Sequence, residues 1–185
     1  MSYEKTISIL AFVTLSTWAF GQENSITLSG GYSFANVEDT DVKATGWRIN
    51  GLYEFNPSNG KFAHGLSIGY VSISGDETSG VNKLSYDIVS WPIYYAPKFL
   101  FGNEKVKGFI KGAIGYQFSN LKRTGTLVEF KDHDGGFAGG GGAGLLYFIN
   151  EKVFLNAEYE LIWLGNSYYK DGWLNTASIG VGFRF

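Results

Sequence analysis

The side chains that could do chemistry are few and widely spaced. Two histidines and no cysteine occur in 185 residues, which removes thiol nucleophiles, disulfide frameworks and thiolate metal sites. His64 and Ser67 stand three apart, so on one strand they point to opposite faces and cannot act together. His133 lies in Lys131-Asp132-His133-Asp134, and adjacent residues of one polar loop rarely converge as metal ligands. The run Gly139-Gly140-Gly141-Gly142 lacks the strand-to-helix setting and the lysine of a phosphate loop, and reads as packing glycine. No catalytic, metal or cofactor site is expected. What remains is charge: Arg48, Lys111, Glu158 and Glu160, with Glu54, Lys107 and Arg184, sit singly within alternating segments that carry little other charge. The net charge is −2, without a basic stripe, which argues against nucleic acid as a partner.

The elements that must position these charges are strands. Apolar residues recur at every second position over 25–35, 43–55, 62–74, 83–98, 105–119, 136–149, 152–164 and 173–185, and no stretch keeps a helical period. In the second segment Trp47, Ile49, Gly51, Tyr53 and Phe55 share one face, while Gly46, Arg48, Asn50, Leu52 and Glu54 share the other. The fourth segment fits least well, because Trp91-Pro92 interrupts it and proline cannot donate to a ladder; a bulge is expected there. Three connections are tight (56–61, 102–104, 150–151) and four are longer and polar (36–42, 75–82, 120–134, 165–172). They alternate along the chain, so in an up-and-down meander all tight turns fall at one end with both termini, and all long loops at the other. Within the third long loop, 124–130 is rich in strand formers, so the flanking strands are expected to continue into it as a ribbon open to strand addition.

The N-terminus has the pattern of a secretory leader: Lys5, the apolar run 7–15, then Ala19-Phe20-Gly21 before Gln22. Residues 1–21 are expected to be removed, leaving 22–185 as one domain. The apolar run is too short to span a bilayer, which takes about 20 residues, and no other segment is longer, so any membrane crossing must be a β-barrel. Glycine decides which face meets lipid. The 26 glycines are about twice the usual share, and they fill the face that also carries the charges (Gly31, Gly65, Gly69, Gly115, Gly140, Gly182). A soluble exterior has no use for them, whereas the narrow lumen of an eight-stranded barrel does. The charged face therefore points inward.

The last strand, Ala177-Ser178-Ile179-Gly180-Val181-Gly182-Phe183-Arg184-Phe185, ends on phenylalanine with apolar residues at alternate positions before it. It resembles the C-terminal signal of bacterial outer-membrane proteins, and the chain from Gln22 onward is similar in length, strand count and loop asymmetry to OmpA/OmpX-type small barrels and the porin-like outer membrane protein β-barrel families. The resemblance implies an all-β, eight-stranded antiparallel up-and-down transmembrane β-barrel in a Gram-negative outer membrane. Its implied partners are outer-membrane lipids and lipopolysaccharide, the barrel-assembly machinery acting through Val181, Phe183 and Phe185, and an extracellular partner at the loops of a monomer. Lipid-deacylating barrels would need a histidine and serine two apart on the lipid face, which this chain lacks. In the barrel, Arg48, Lys111, Glu158 and Glu160 come near mid-height, with Arg48 set against Glu158 and Lys111 against Glu160, while Glu54, Lys107 and Arg184 gather toward the periplasmic end. Two positive charges against two negative predict a salt-bridge network that plugs the lumen, since buried charges persist only when paired. The expected role is structural or surface-interacting; the alternatives are a narrow conduit for small or apolar solutes and a lipid-modifying enzyme.

Overall fold

The computed structural model describes residues 23–38, 40, 42–57, 60–79, 82–125, 129–165 and 168–185; the expected leader and its cleavage site lie outside the described residues. Nine strand segments follow one another: β1 Glu23–Asn36, β2 Lys43–Asn56, β3 Phe62–Ser79, β4 Asn82–Tyr95, β5 Lys98–Gly102, β6 Val106–Gly125, β7 Glu129–Phe148, β8 Val153–Leu164 and β9 Trp173–Arg184. All pairings are antiparallel, and β1 bonds both β2 and β9, which closes the sheet into a ring. Both β4 and β5 lie between β3 and β6, as two halves of one stave, so the nine segments make eight staves.

Alternation survives the prolines. The expected bulge at Trp91-Pro92 is absent: Ile68 pairs with Ile93 and Val71 with Ser90, three steps along each strand with no residue inserted. Register also holds across the break at Ala96-Pro97, since Leu66 pairs with Tyr95 and Ala63 with Lys98. The reason is the direction of the missing donor. Ala96 N–H donates to the Gly65 carbonyl of β3, so the even-numbered backbone groups of this stave face β3, and Pro92 simply leaves one bond unmade opposite Gly69. At Gly69 a Cβ would stand 3.0 Å from Asn50 Oδ1 and 3.1 Å from the Pro92 ring, so glycine leaves both side chains room there.

Following Cα partners around the ring from Ala63, through Lys98, Lys111, Gly142, Glu160, Thr176, Ser33 and Gly46, returns to β3 at Ile73, ten residues further along. This stagger tilts every stave against the barrel axis. It also explains the interior glycines better than spare room does. At Gly142 a Cβ would lie 2.6 Å from the Tyr159 carbonyl and 3.2 Å from Glu158 Oε1. The nearer obstacle is the neighbouring backbone, and only secondarily a long charged side chain.

Ile26, Leu28, Ile49, Ile68, Ile110 and Ile179 are half exposed or more on the outer face. Soluble monomers rarely expose a contiguous apolar surface of this extent. Two of the long connections are largely strand. β3 and β4 stay paired to Ser79 and Asn82, and β6 and β7 to Thr124 and Glu129, so four strands continue past the long-loop rim as a free-standing sheet.

Candidate functional site

Inside the ring the side chains form three tiers. The middle tier is charged. Arg48 from β2 pairs with Glu160 from β8 and donates to the Tyr94 hydroxyl, which in turn donates to Glu160 Oε1 at 2.7 Å. Lys111 from β6 reaches Glu160 Oε2 at 2.5 Å and also pairs with Glu158. Asn50 accepts from Arg48 at 3.3 Å and from Ser67 at 2.8 Å. Arg48, Tyr94, Lys111 and Glu160 are all buried. The space left among Ser29, Arg48, Asn50, Lys111 and Glu158 is about 10 Å³, room for roughly one water molecule.

Lys111 meets Glu160 as expected, while the partner of Arg48 lies two residues beyond the expected Glu158. Along the sheet, Arg48 leads through Gly31 and Ser178 to Glu158. Because the staves are tilted, that ladder mate sits closer to the short-turn end, and Glu160, one inward step further up β8, comes level with the guanidinium. Lys111 approaches from the other side, with Gly142 and then Glu160 as its ladder mates, and tilt brings Glu158 within its reach as well.

The tier at the short-turn end brings the second expected charge group, Glu54, Lys107 and Arg184, around one small cavity. Glu54 pairs with Lys98 of β5 at 2.7 Å, and that ammonium also lies 4.4 Å from the Phe109 ring centroid. Arg184 pairs with Glu23 at 3.3 Å and lies over Phe148. Lys107 sits over the same ring, 5.4 Å from its centroid. Sequence reasoning missed Tyr94 and Lys98. The signal was present: unbroken alternation through Pro92 puts positions 94, 96 and 98 on the inner face, and the assumed bulge hid it.

The tier at the long-loop end is apolar: Val71, Ile73, Ile88, Ile162, Leu164 and Leu174 share one cluster with Tyr168 and Tyr169. The last long connection, expected as an outer loop, folds inward here. Tyr169 forms a bridge with Val37, Glu38 N–H donates to the Tyr168 carbonyl at 3.1 Å, and the Tyr169 hydroxyl lies 2.9 Å from Ser90 Oγ. Burial, followed by the nearby Asp132 carboxylate, pushes the Tyr168 phenol above its ordinary range. The turn back into β9 uses left-handed backbone at Asp171 and Gly172, φ 54° and 75°. At Gly172 a Cβ would meet the Leu164 carbonyl at 2.6 Å, so glycine is required there.

The two histidines stand apart from these tiers. His64 Nδ1 lies 2.6 Å from the Tyr95 hydroxyl and packs edge-on to Phe62. His133 Nδ1 lies 2.5 Å from Asn120 Oδ1. Among the described residues, no group of three or more histidine, aspartate or glutamate side chains is placed to hold a metal ion.

A closed antiparallel ring with an apolar belt outside and charge inside defines an integral outer-membrane β-barrel, and the outer membrane of a Gram-negative cell is where it resides. The chain belongs to the outer membrane protein beta-barrel domain family, which it matches over residues 6–185. Among solved structures it is similar to Ail, the attachment invasion locus protein of Yersinia pestis, at 21% identity over 89% of this chain and 99% of that one, TM-score 0.54. It is also similar to Neisserial surface protein A, at 12% identity over 88% and 97% of the two chains, TM-score 0.55. A major outer membrane protein from Thermus thermophilus aligns at 10% identity over 88% and 99%, TM-score 0.60. At these identities the likeness is one of fold. No curated protein matches the sequence.

Proposed function

We propose that this protein is a non-enzymatic, monomeric barrel with a closed lumen, whose work is done by the loops and strand extensions on its extracellular face. The observation that carries this reading is that side chains meet across the interior in three successive tiers, with about 10 Å³ left in the middle one and about 40 Å³ at the short-turn end. Aromatic and paired charged side chains occupy the periplasmic tier, the Arg48–Tyr94–Glu160–Lys111 cluster the middle, and a tyrosine-capped apolar cluster the extracellular tier. Ions entering from either end would meet a low-dielectric, side-chain-filled section. A barrel that does not conduct has its long connections left for function, and loops on a rigid scaffold are where binding residues concentrate. The leader 1–21 directs export, and Val181, Phe183 and Phe185 present the signal read by the barrel-assembly machinery. Outer-membrane lipid, with lipopolysaccharide in the outer leaflet, covers the apolar belt.

The test is electrical. Protein reconstituted into planar bilayers is expected to give no steady conductance above the lipid background. Discrete, sustained ion conductance by the unmodified protein would overturn the closed-lumen reading in favour of a conduit.

A further inference from the structure

We infer that the periplasmic mouth of the barrel is a binding site for a zwitterionic amino-acid group, held with its carboxylate inward on Lys107 and its ammonium outward on Glu104 and Glu151. The inference goes beyond the reading above and lies at the opposite end of the barrel from the loops assigned to surface contact. It starts from a repeat. Asn103-Glu104-Lys105-Val106 and Asn150-Glu151-Lys152-Val153 are the same four residues, and they carry the chain from β5 into β6 and from β7 into β8.

The repeat is built the same way twice. Asn103 Oδ1 accepts from the Lys105 N–H at 3.0 Å and the Val106 N–H at 2.8 Å, and Asn150 Oδ1 accepts from Lys152 at 2.9 Å and Val153 at 2.8 Å. A side-chain carbonyl that satisfies two successive backbone donors fixes a turn locally, so Glu104 and Glu151 stand on equivalent, rigid corners. The corners are neighbours, since the Phe148 N–H donates to the Lys105 carbonyl at 2.9 Å.

A cavity of about 540 Å³ is lined by both glutamates together with Ile149 and Asn150, a volume within the range of small-ligand sites, roughly 300–1,000 Å³. Its inner end shares Glu23, Lys107, Phe148 and Arg184 with the small cavity of the short-turn tier. The lining is therefore graded, with carboxylates at the rim and cations where the two cavities meet. Several of the charges nearby are already answered. Arg184 pairs with Glu23 and Glu54 with Lys98, while Lys105 leans over the Tyr147 ring, 5.8 Å from its centroid. Lys107, Glu104 and Glu151 make no ion pair among the described residues, and the half-buried Lys107 ammonium rests over the Phe148 ring. A carboxylate brought to Lys107 adds a charge-assisted hydrogen bond to that cation–π contact. A ligand that is only an anion is repelled by the two rim glutamates, and one that is only a cation leaves Lys107 unanswered. A group bearing both signs satisfies all three. Two sources present it to this end of the barrel, free amino acids and the cross-linking residues of cell-wall stem peptides, and the zwitterion they share is what the lining recognises.

The experiment titrates the purified barrel in maltoside micelles, read by calorimetry and amide chemical shifts. Four probes are used: meso-diaminopimelate, a stem tetrapeptide containing that residue, diaminopimelate acetylated on both nitrogens, and its diamide. The first two are expected to bind and to shift amides at 103–107 and 148–152. Acetylation and amidation should each weaken binding about fivefold, the scale of one exposed ion pair. Lys107→Met, which keeps an apolar stem against Phe148, should lower affinity for diaminopimelate and make the diamide bind as well as the acid. Glu104→Gln with Glu151→Gln, at exposed turn positions that leave the Asn caps intact, should abolish the discrimination against acetylation. A tighter tetrapeptide supports the site and names the cell wall as source; a tighter free amino acid supports it and names the solute. No binding by either, shifts confined to other segments, or discrimination unchanged in both variants would overturn the proposal.

Discussion

Glu160 is the residue on which the interior turns, since it accepts from Arg48, Tyr94 and Lys111 at once. Removing one member of a buried charge pair leaves the other uncompensated and costs about 3–5 kcal/mol. Arg48→Ala is therefore expected to lower stability by that order in urea titrations of the micelle-folded protein. The double variant Arg48→Ala with Glu160→Ala should recover part of the loss, and Arg48→Ala with Glu158→Ala should recover little. Strict additivity in the first pair would mean that the contact contributes no coupling. A glycine gives a second test at this scale. Gly142→Ala pushes a methyl toward the Tyr159 carbonyl, 2.6 Å from the ideal Cβ, and is expected to cost about 1–3 kcal/mol as an overpacking change, read from the same titrations.

Among the elements, the connection between β8 and β9 behaves as a stopper and the β6–β7 hairpin as an extension. Tyr169 fills the extracellular tier and its hydroxyl meets Ser90. Tyr169→Phe removes the hydroxyl's hydrogen bonds to Ser90 and Gln117, about 1–2 kcal/mol, while Tyr169→Ala empties an aromatic volume, about 3–5 kcal/mol; calorimetric or urea midpoints distinguish them. The hairpin end is tied by Glu129, whose carboxyl is held below its usual range by a hydrogen bond from Lys131 and by the Lys122 ammonium. A lowered native pKa means the tie is complete above the ordinary carboxylate range and is lost as pH falls through the lowered value. Protection factors at the end of the hairpin should hold from neutral to mildly acidic pH and fall only in stronger acid. Glu129→Gln should abolish that dependence.

For the whole molecule, assembly and stability are expected to separate at the C-terminus. Phe185 is one exposed side chain on the lipid side of the rim, so deleting it removes at most about 1.5–3 kcal/mol of burial. If the terminal strand is the assembly signal, the deletion should still fold in detergent yet reach the outer membrane at a much reduced level in cells. Normal membrane levels would reject the assignment of Val181, Phe183 and Phe185 to that role. The export route is checked by mass: protein purified from outer membranes should begin at Gln22, and an intact Met1 would refute the leader.

The sequence by itself determined the eight staves, their antiparallel order and which face meets lipid, because side-chain alternation is local and a barrel wall has only two sides. It placed Arg48, Lys111, Glu158 and Glu160 on the inner face for the same reason. It did not determine the partner of Arg48, since partners across a lumen depend on the stagger summed around the closed ring, ten residues here, and no single segment encodes that sum. Tyr94 and Lys98 were legible by parity and were obscured only by the assumption that proline shifts register. The inward fold of Tyr168 and Tyr169 was not legible at all. It depends on the room left by small inner residues from distant staves, Ala35, Ala44 and Ala138 in the same cluster, and that volume exists only once the ring has closed.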